Sequence, residues 1–229
     1  MIASVHVADV GARRSLGLNR RVPKPGKVAG LRHADLGLAA PLRGSFLPAP
    51  SLDRVAFVGF WDDDAALDKF LADHPTGTAL AGGWHARLEP RRVFGSWPGL
   101  PDDLPRGRTQ GATEPAVVLT LGRLRLSQAI RFLRASAKAE AEIADAPGMV
   151  WATGFARPPF LATCSLWRTT EALSDYAYGA AERGHPQAIA GHRKKPFHKV
   201  SAFVRFRPYA SEGGLAGKNP LAASWMSKA

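Results

Sequence analysis

Residues 54 to 60 form a mostly apolar run of strand type that ends at Trp61, and Asp62, Asp63 and Asp64 then give way to apolar positions at Ala66, Leu67 and Phe70. Those spacings mark one face of a helix, and the three carboxylates ahead of them supply N-cap acceptors and negative charge for the helix dipole. One strand followed by one helix is predicted. The same pattern returns 106 residues later, where Phe160 to Leu166 closes on Trp167, Thr169 to Glu171 provide the cap, and Ala172, Leu173 and Tyr176 take the apolar positions. Ala56/Ala162, Trp61/Trp167, Ala66/Ala172 and Leu67/Leu173 are identical, so one strand–helix unit is used twice. A second echo aligns Trp84 to Pro90 with Ala202 to Pro208 at an offset of 118. About twelve extra residues therefore precede the last strand of the second copy.

The second copy gives the fuller element list: strands at 116–123, 149–156, 160–167 and 200–207, with helices at 127–144 and 169–181. Leu126, Ile130, Leu133 and Ala137 form the predicted buried stripe of the long helix. The order β-α-β-β-α-β is that of the ferredoxin-like motif. The first copy has the later elements, but residues 11–30 are so rich in Gly, Pro and charge that its first helix is expected to be short or distorted. The expected fold class is α+β, with tandem ferredoxin-like repeats closing into one barrel-like core by packing their half-sheets face to face or by pairing their edges. Residues 1–97 make the first half, 98–115 a Pro/Gly-rich connector, 116–208 the second half and 209–229 a loosely structured tail.

Charge changes the picture of the surface. The 229-residue chain carries a formal net charge of +12, and it is uneven. Residues 1–43 hold eight Lys/Arg against Asp9 and Asp35, and residues 183–207 hold seven against no acid. Such clusters suit nucleic acid, an anionic membrane surface or the propionates of a haem, with a merely solvated basic face as the plain alternative. Cys164, the single cysteine, sits in a predicted buried strand and reads as a reduced, cytoplasmic thiol. No apolar run approaches the roughly 20 residues of a membrane span, and the first thirty residues have no apolar signal core. A cytoplasmic location is expected, with peripheral membrane contact left open. Nucleophile-elbow, zinc, P-loop and dinucleotide motifs are all missing from the sequence.

The wording of the repeat resembles the spheroidene monooxygenase family, within the dimeric α+β barrel superfamily. The resemblance runs over most of residues 42–221 and is carried by Val117 to Leu133, Cys164 to Leu173, Gly184-His185 to Ile189 and Phe197 to Phe206, with Leu88-Glu-Pro and Gly95 to Gly99 closing the first half. The N-terminal forty residues match it less well. It implies a dimeric α+β barrel within one chain and a haem-dependent monooxygenase acting on a hydrophobic small molecule of carotenoid-like character. Haem-degrading members of the superfamily are similar in placing a proximal histidine after the second helix of the motif. His185 is accordingly the first axial-ligand candidate for a haem iron and His198 the second. Arg183, Arg193, Lys194 and Lys195 are candidate propionate partners, and Tyr176 and Tyr178 candidate pocket residues.

The remaining groups have plainer readings. His6, His33, His74 and His85 are expected at the surface or as satisfied core residues, and His192 in a solvated charge run. Trp61 and Trp167, repeated at equivalent positions, are expected to close the same packing contact twice. Beside the haem oxygenase stand a cofactor-free oxygenase of the same superfamily and a non-catalytic haem or lipophile carrier. Nucleic-acid binding is disfavoured, because no RNA-recognition run of stacking aromatics appears and Phe203 to Phe206 is a faint echo only. The sequence leaves the electron donor and the catalytic residues open.

Overall fold

The computed structural model describes residues 1–42, 51–107, 111–143, 145–179 and 184–221. Its first half contains β1 (Ile2–Asp9), α1 (Ala12–Arg20), β2 (Leu31–Ala40), β3 (Arg54–Trp61), α2 (Asp64–Asp73), α3 (Pro75–Leu80) and β4 (Trp84–Gly95). The second contains β5 (Ala116–Leu124), a single 3-10 turn (Leu126–Gln128), α4 (Ala129–Ile143), β6 (Met149–Arg157), β7 (Phe160–Trp167), α5 (Thr170–Tyr178), α6 (Gly184–Lys194) and β8 (His198–Glu212). As expected from its composition, α1 is short, at nine residues. Asp63 caps α2 by accepting from the Ala66 N–H, and Thr169 caps α5 by accepting from the Ala172 N–H.

The eight strands close into one antiparallel barrel in the order β1-β3-β2-β6-β7-β5-β8-β4. Each half contributes four neighbouring strands, and the seams β2–β6 and β4–β8 join the halves by their edges. Pairing, not face-to-face stacking, is thus how the half-sheets meet, and no edge is left free in the barrel. Alternate strand residues point inward, where Phe60, Trp84, Leu88, Phe155, Phe160 and Phe206 help fill a continuous apolar core. The barrel interior is a packed core with a void of about 110 Å³ beside Val7, Ala39 and Trp151. Burial there accounts for Cys164, whose thiol is pushed up to about 12 and is inert as a nucleophile.

The internal repeat is a real pseudo-twofold. Trp61 stands opposite Ile2 and Leu31, and Trp167 stands opposite Ala116 and Met149 in the corresponding strands. Both indoles are fully buried, each against the aromatic of the following helix: Trp61 lies 4.8 Å from Phe70, and Trp167 lies 5.0 Å from Tyr176.

Three expectations need correction. The apolar stripe of α4 does not face the core: Leu126 and Ile130 are 77% and 62% exposed, and the buried residues of α4 are Ala139 and Ile143. The reason is that α4 leans on α6, where Arg131 donates to the Gly191 and Lys195 carbonyls and Lys138 to Gln187, so the N-terminal part of the stripe is turned out while Leu133 and Ala137 stay partly buried. The last strand does not stop near 207 but runs to Glu212, pairing with His85 to Arg87, and Leu221 beyond it is buried. The Pro/Gly-rich connector is packed down as well, with its Leu104, and Trp97 just before it, in the core cluster.

Candidate functional site

Outward-facing strand residues in each half meet the helices, and here the two halves differ. Register pairs identify the counterparts across the pseudo-twofold: His6, Phe57 and Val55 lie side by side in the first half, and Thr120, Thr163 and Leu161 lie in the same places in the second. Leu36, opposite Phe57, corresponds to Gly154, opposite Thr163. His6, Leu36, Val55 and Phe57 are all fully buried beneath α2 and α3 or among their neighbours. Thr120, Thr163, Ser165 and Leu161 are each partly exposed. Gly154 is buried, and an added Cβ there would lie 3.2 Å from the Leu42 side chain and 3.4 Å from the Ala40 carbonyl oxygen. The first half has a filled helix–sheet interface built on Phe57, Trp61, Leu67 and Phe70, whereas the second half's buried cluster is confined to the Trp167 end. Large side chains have been exchanged for Thr and Gly along the middle of one sheet. The result is a strip of small, partly exposed side chains along the β5–β7 face, a candidate slot beneath α4 and α6.

His185 stands at the Trp167 end of this slot. It is the second residue of α6, not a loop residue, and its ring packs on Tyr176 at 4.7 Å. His74 holds the matching place in the first half: it precedes Pro75, caps α3 and stacks on Phe70 at 5.0 Å, as His185 precedes Pro186 and packs on Tyr176. The His-Pro pairs are 111 residues apart (185 − 74), so five of the twelve extra residues precede His185 and seven follow it. The two imidazoles are used differently. His74 Nδ1 accepts from the Thr76 N–H at 3.1 Å, closing the α3 cap. His185 Nδ1 faces the Ala177 carbonyl at 3.5 Å, an arrangement that makes Nδ1 the protonated nitrogen and leaves Nε2, which makes no hydrogen bond to a described residue, as the lone-pair nitrogen for an electrophile or metal. Burial holds its pKa below the ordinary value, partly countered by the Ala177 carbonyl and Glu142, so the imidazole is neutral near pH 7. Tyr176 is fixed by donating to the Ala139 carbonyl at 3.0 Å, and burial first, then Glu142 and Glu140, push its phenol well above the ordinary value. A cleft of about 490 Å³ opens beside Tyr176, bordered by Ala146, Pro147, Glu171 and Asp175.

His198 marks the other end. It opens β8 opposite Leu124, its ring lies over Gly122, and a side chain at 122 would stand 2.7 Å from the imidazole. Phe132 of α4 and His192 of α6 pack on it at 5.3 and 5.4 Å. Its Nε2 is buried without a partner among the described residues, and burial first, then His192, lower its pKa to about 4. Because Nε2 is tucked against the β5 backbone, His198 is less suited than His185 to hold an iron.

The other candidates separate. Arg193 and Lys194 end α6 and Lys195 follows it, so they begin about 12 Å along the helix axis from His185 and do not ring it. Arg183 lies outside the described residues. Tyr178 is 69% exposed and lines nothing. His192 is not simply solvated, since its Nδ1 accepts from the Phe197 N–H. His6 and His85 are buried and stacked at 5.0 Å; His6 Nδ1 and His85 Nε2 have no hydrogen-bond partner among the described residues, and His85 Nε2 lies 4.0 Å from Glu212 Oε2, so they are core residues not fully satisfied.

Sequence reading missed one buried polar group. Inside the barrel, Asp35 Oδ2 accepts from His33 Nε2 at 2.8 Å and from the Trp97 indole at 2.9 Å. A carboxylate in an apolar core requires such donors, and these two tie the connector to β2. No sequence pattern joins residues 35 and 97.

A tandem ferredoxin-like α+β barrel whose two helix–sheet interfaces are unequally packed is the class defined by this geometry. Among solved structures, aldoxime dehydratase in complex with butyraldoxime shares the fold, with a TM-score of 0.54 over 90% of this chain and 79% of that one at 9% identity. An anthrone oxidase-like protein aligns over 97% and 95% with a TM-score of 0.36 and 15% identity. The particular relative is spheroidene monooxygenase of Rhodobacter capsulatus, to which the chain is 24% identical over 194 residues, covering 80% of this chain and 78% of that protein. The resemblance drawn from the sequence is borne out by this match. No family model matches the chain.

Proposed function

We propose that this protein is an oxidoreductase of the monooxygenase type that binds an apolar small molecule in the slot of its second half, with a haem held by His185. The observation that carries the reading is that small residues, Thr120, Gly154 and Thr163, stand in the second half where the fully buried His6, Leu36 and Phe57 stand in the first, which supports a lighter-packed helix–sheet interface there. Similarity to spheroidene monooxygenase supports the reaction class, and an elongated polyene suits a slot that follows β7 for several residues.

His185 offers the chemistry an axial ligand needs: a neutral imidazole, one nitrogen turned to a backbone carbonyl and the other bare. Haem, when bound, would supply oxygen activation, which no side chain provides. The chain's own residues do the rest. Tyr176, anchored to Ala139, fixes the ring plane of His185. Thr120, Thr163 and Ser165 would line the slot with small hydroxyl side chains beneath α4 and α6.

The test is reconstitution of the purified chain with haem, followed by absorption spectroscopy and oxygen-dependent conversion of a polyene. A Soret band that shifts on polyene addition, with turnover under oxygen, is the expected result. Turnover in protein shown to lack iron would replace haem by a cofactor-free mechanism, and haem uptake without turnover would make the protein a carrier.

A further inference from the structure

We propose that the tip of the second half, where β5 ends and α4 begins, is a docking surface for an anionic lipid bilayer. The proposal rests on this surface alone and is independent of what the slot binds. Leu126 and Ile130, four residues apart, are the two apolar side chains turned to solvent there. Hydrogen bonds gather the cations around them: Arg125 donates from its backbone to the Phe197 carbonyl and from Nε to the His198 carbonyl, and Arg131 donates to the Lys195 carbonyl. Arg123 pairs with both Phe160 and Val200, which places it between Arg157 at the end of β6 and Lys199 at the start of β8.

Arg123, Arg125, Arg157, Lys195 and Lys199 thus share the end of the second half that carries this pair of exposed apolar side chains. None of the five is in an ion pair with a described residue. Acids are missing from the contributing sequence as well: residues 115–139, 146–170 and 183–211 contain no Asp or Glu. Apolar side chains that enter the acyl boundary and cations that stay among phosphates are the two parts of an interfacial anchor. A neutral protein partner would leave five cations unanswered, and a nucleic acid would find no stacking aromatic beside Leu126 and Ile130. The charge pattern therefore selects anionic lipid. His198 and Gly122 lie directly behind this tip, so docking would bring the bilayer to one end of the slot.

The experiment uses the full chain with large unilamellar vesicles of phosphatidylcholine, alone or mixed with phosphatidylglycerol, read by flotation at low and high salt. Partition onto the mixed vesicles should exceed that onto neutral ones by about tenfold or more and fall as salt rises. Lys195→Ala with Lys199→Ala should weaken it about thirtyfold. Leu126→Ser with Ile130→Ser should weaken it at both salt concentrations, and because both residues are exposed the variant should melt like the parent protein. Equal partition onto both vesicles, no partition, or unchanged binding by both variants overturns the proposal. Binding of a short single-stranded RNA without vesicle partition overturns it in favour of nucleic acid, and a dimer dissolved by the serine variant overturns it in favour of a second copy. Haem uptake and turnover enter none of these readouts, so the slot's function and this surface fail or stand separately.

Discussion

Thr163 stands in the second half of the barrel where Phe57 stands in the first, each opposite the same strand position of its own half. Phe57 is sealed against Phe70 at 5.5 Å, whereas Thr163 is partly exposed below α4 and α6. Restoring the aromatic is therefore the direct probe of the slot. Thr163→Phe should raise unfolding free energy by about 1 kcal/mol through new apolar burial and should weaken binding of haem or polyene by at least about tenfold. Denaturant unfolding and spectroscopic titration measure the two effects, and unchanged ligand affinity would remove the slot from consideration.

His74 and His185 make a matched pair of controls. Both rings pack on the aromatic of the preceding helix, so His74→Ala and His185→Ala should each cost about 1–2 kcal/mol of stability. Under the proposed function only His185→Ala should abolish or shift the Soret band. Loss of the band in His198→Ala with retention in His185→Ala would transfer the ligand role to His198.

Acid should destabilise the protein through its buried imidazoles. His6 is held well below its ordinary 6.5 by burial and then by His85 and Arg87, while His85 is lowered by burial despite Glu212, and His198 falls to about 4. A lowered folded-state value means that the unfolded chain takes up protons first as pH drops. This stability is therefore fully present above about pH 6.5 and is lost progressively as pH falls toward 4. Urea melts at pH 7.5, 6 and 5 should show it, and His198→Leu should flatten the lower part of that dependence. Constant stability across the range would contradict the assignment.

Trp97→Phe should remove one of the two donors to Asp35 while keeping the ring in the core. The expected cost is about 1–3 kcal/mol, accompanied by earlier proteolysis of the connector. Limited proteolysis with a urea melt would detect both.

Separating the halves should leave neither folded. A chain cut after residue 107 loses the β2–β6 and β4–β8 seams and exposes the inner apolar face of each half-sheet. Dye binding and loss of a cooperative melt are expected for each fragment, and a cooperative monomeric C-terminal half would refute this.

Much of the fold was legible because the repeat kept Trp61/Trp167 and the helix caps, which fix strand ends and helix starts locally. The exposed stripe of α4 was not legible: periodicity reports that Leu126, Ile130, Leu133 and Ala137 share a face, but not whether a partner covers that face. His185 was singled out as a candidate, but the sequence did not show that it opens α6, since Pro186 reads equally as a turn and as the first turn of a helix. The slot was only half visible. Phe57/Thr163 could be read from the 106-residue offset, but His6/Thr120 and Leu36/Gly154 obey offsets of 114 and 118, which only strand register supplies. Asp35 and Trp97 meet because the connector folds back over the barrel end, a consequence of closure that no local pattern encodes.

Joining the two halves in one polypeptide has a consequence for how such a barrel can change. In a symmetric dimer of a single half, every substitution is made twice, so a Phe-to-Thr exchange that hollows one site hollows both and doubles its cost to the assembly. Covalent linkage lifts that obligation. Here the half carrying Phe57, Leu36 and Phe70 can act as ballast, holding the shared barrel together while the other tolerates polar, undersized and weakly packed positions. Mutational tolerance should accordingly be lopsided, with the first half intolerant of change at its outward strand positions and the second half permissive at the same ones.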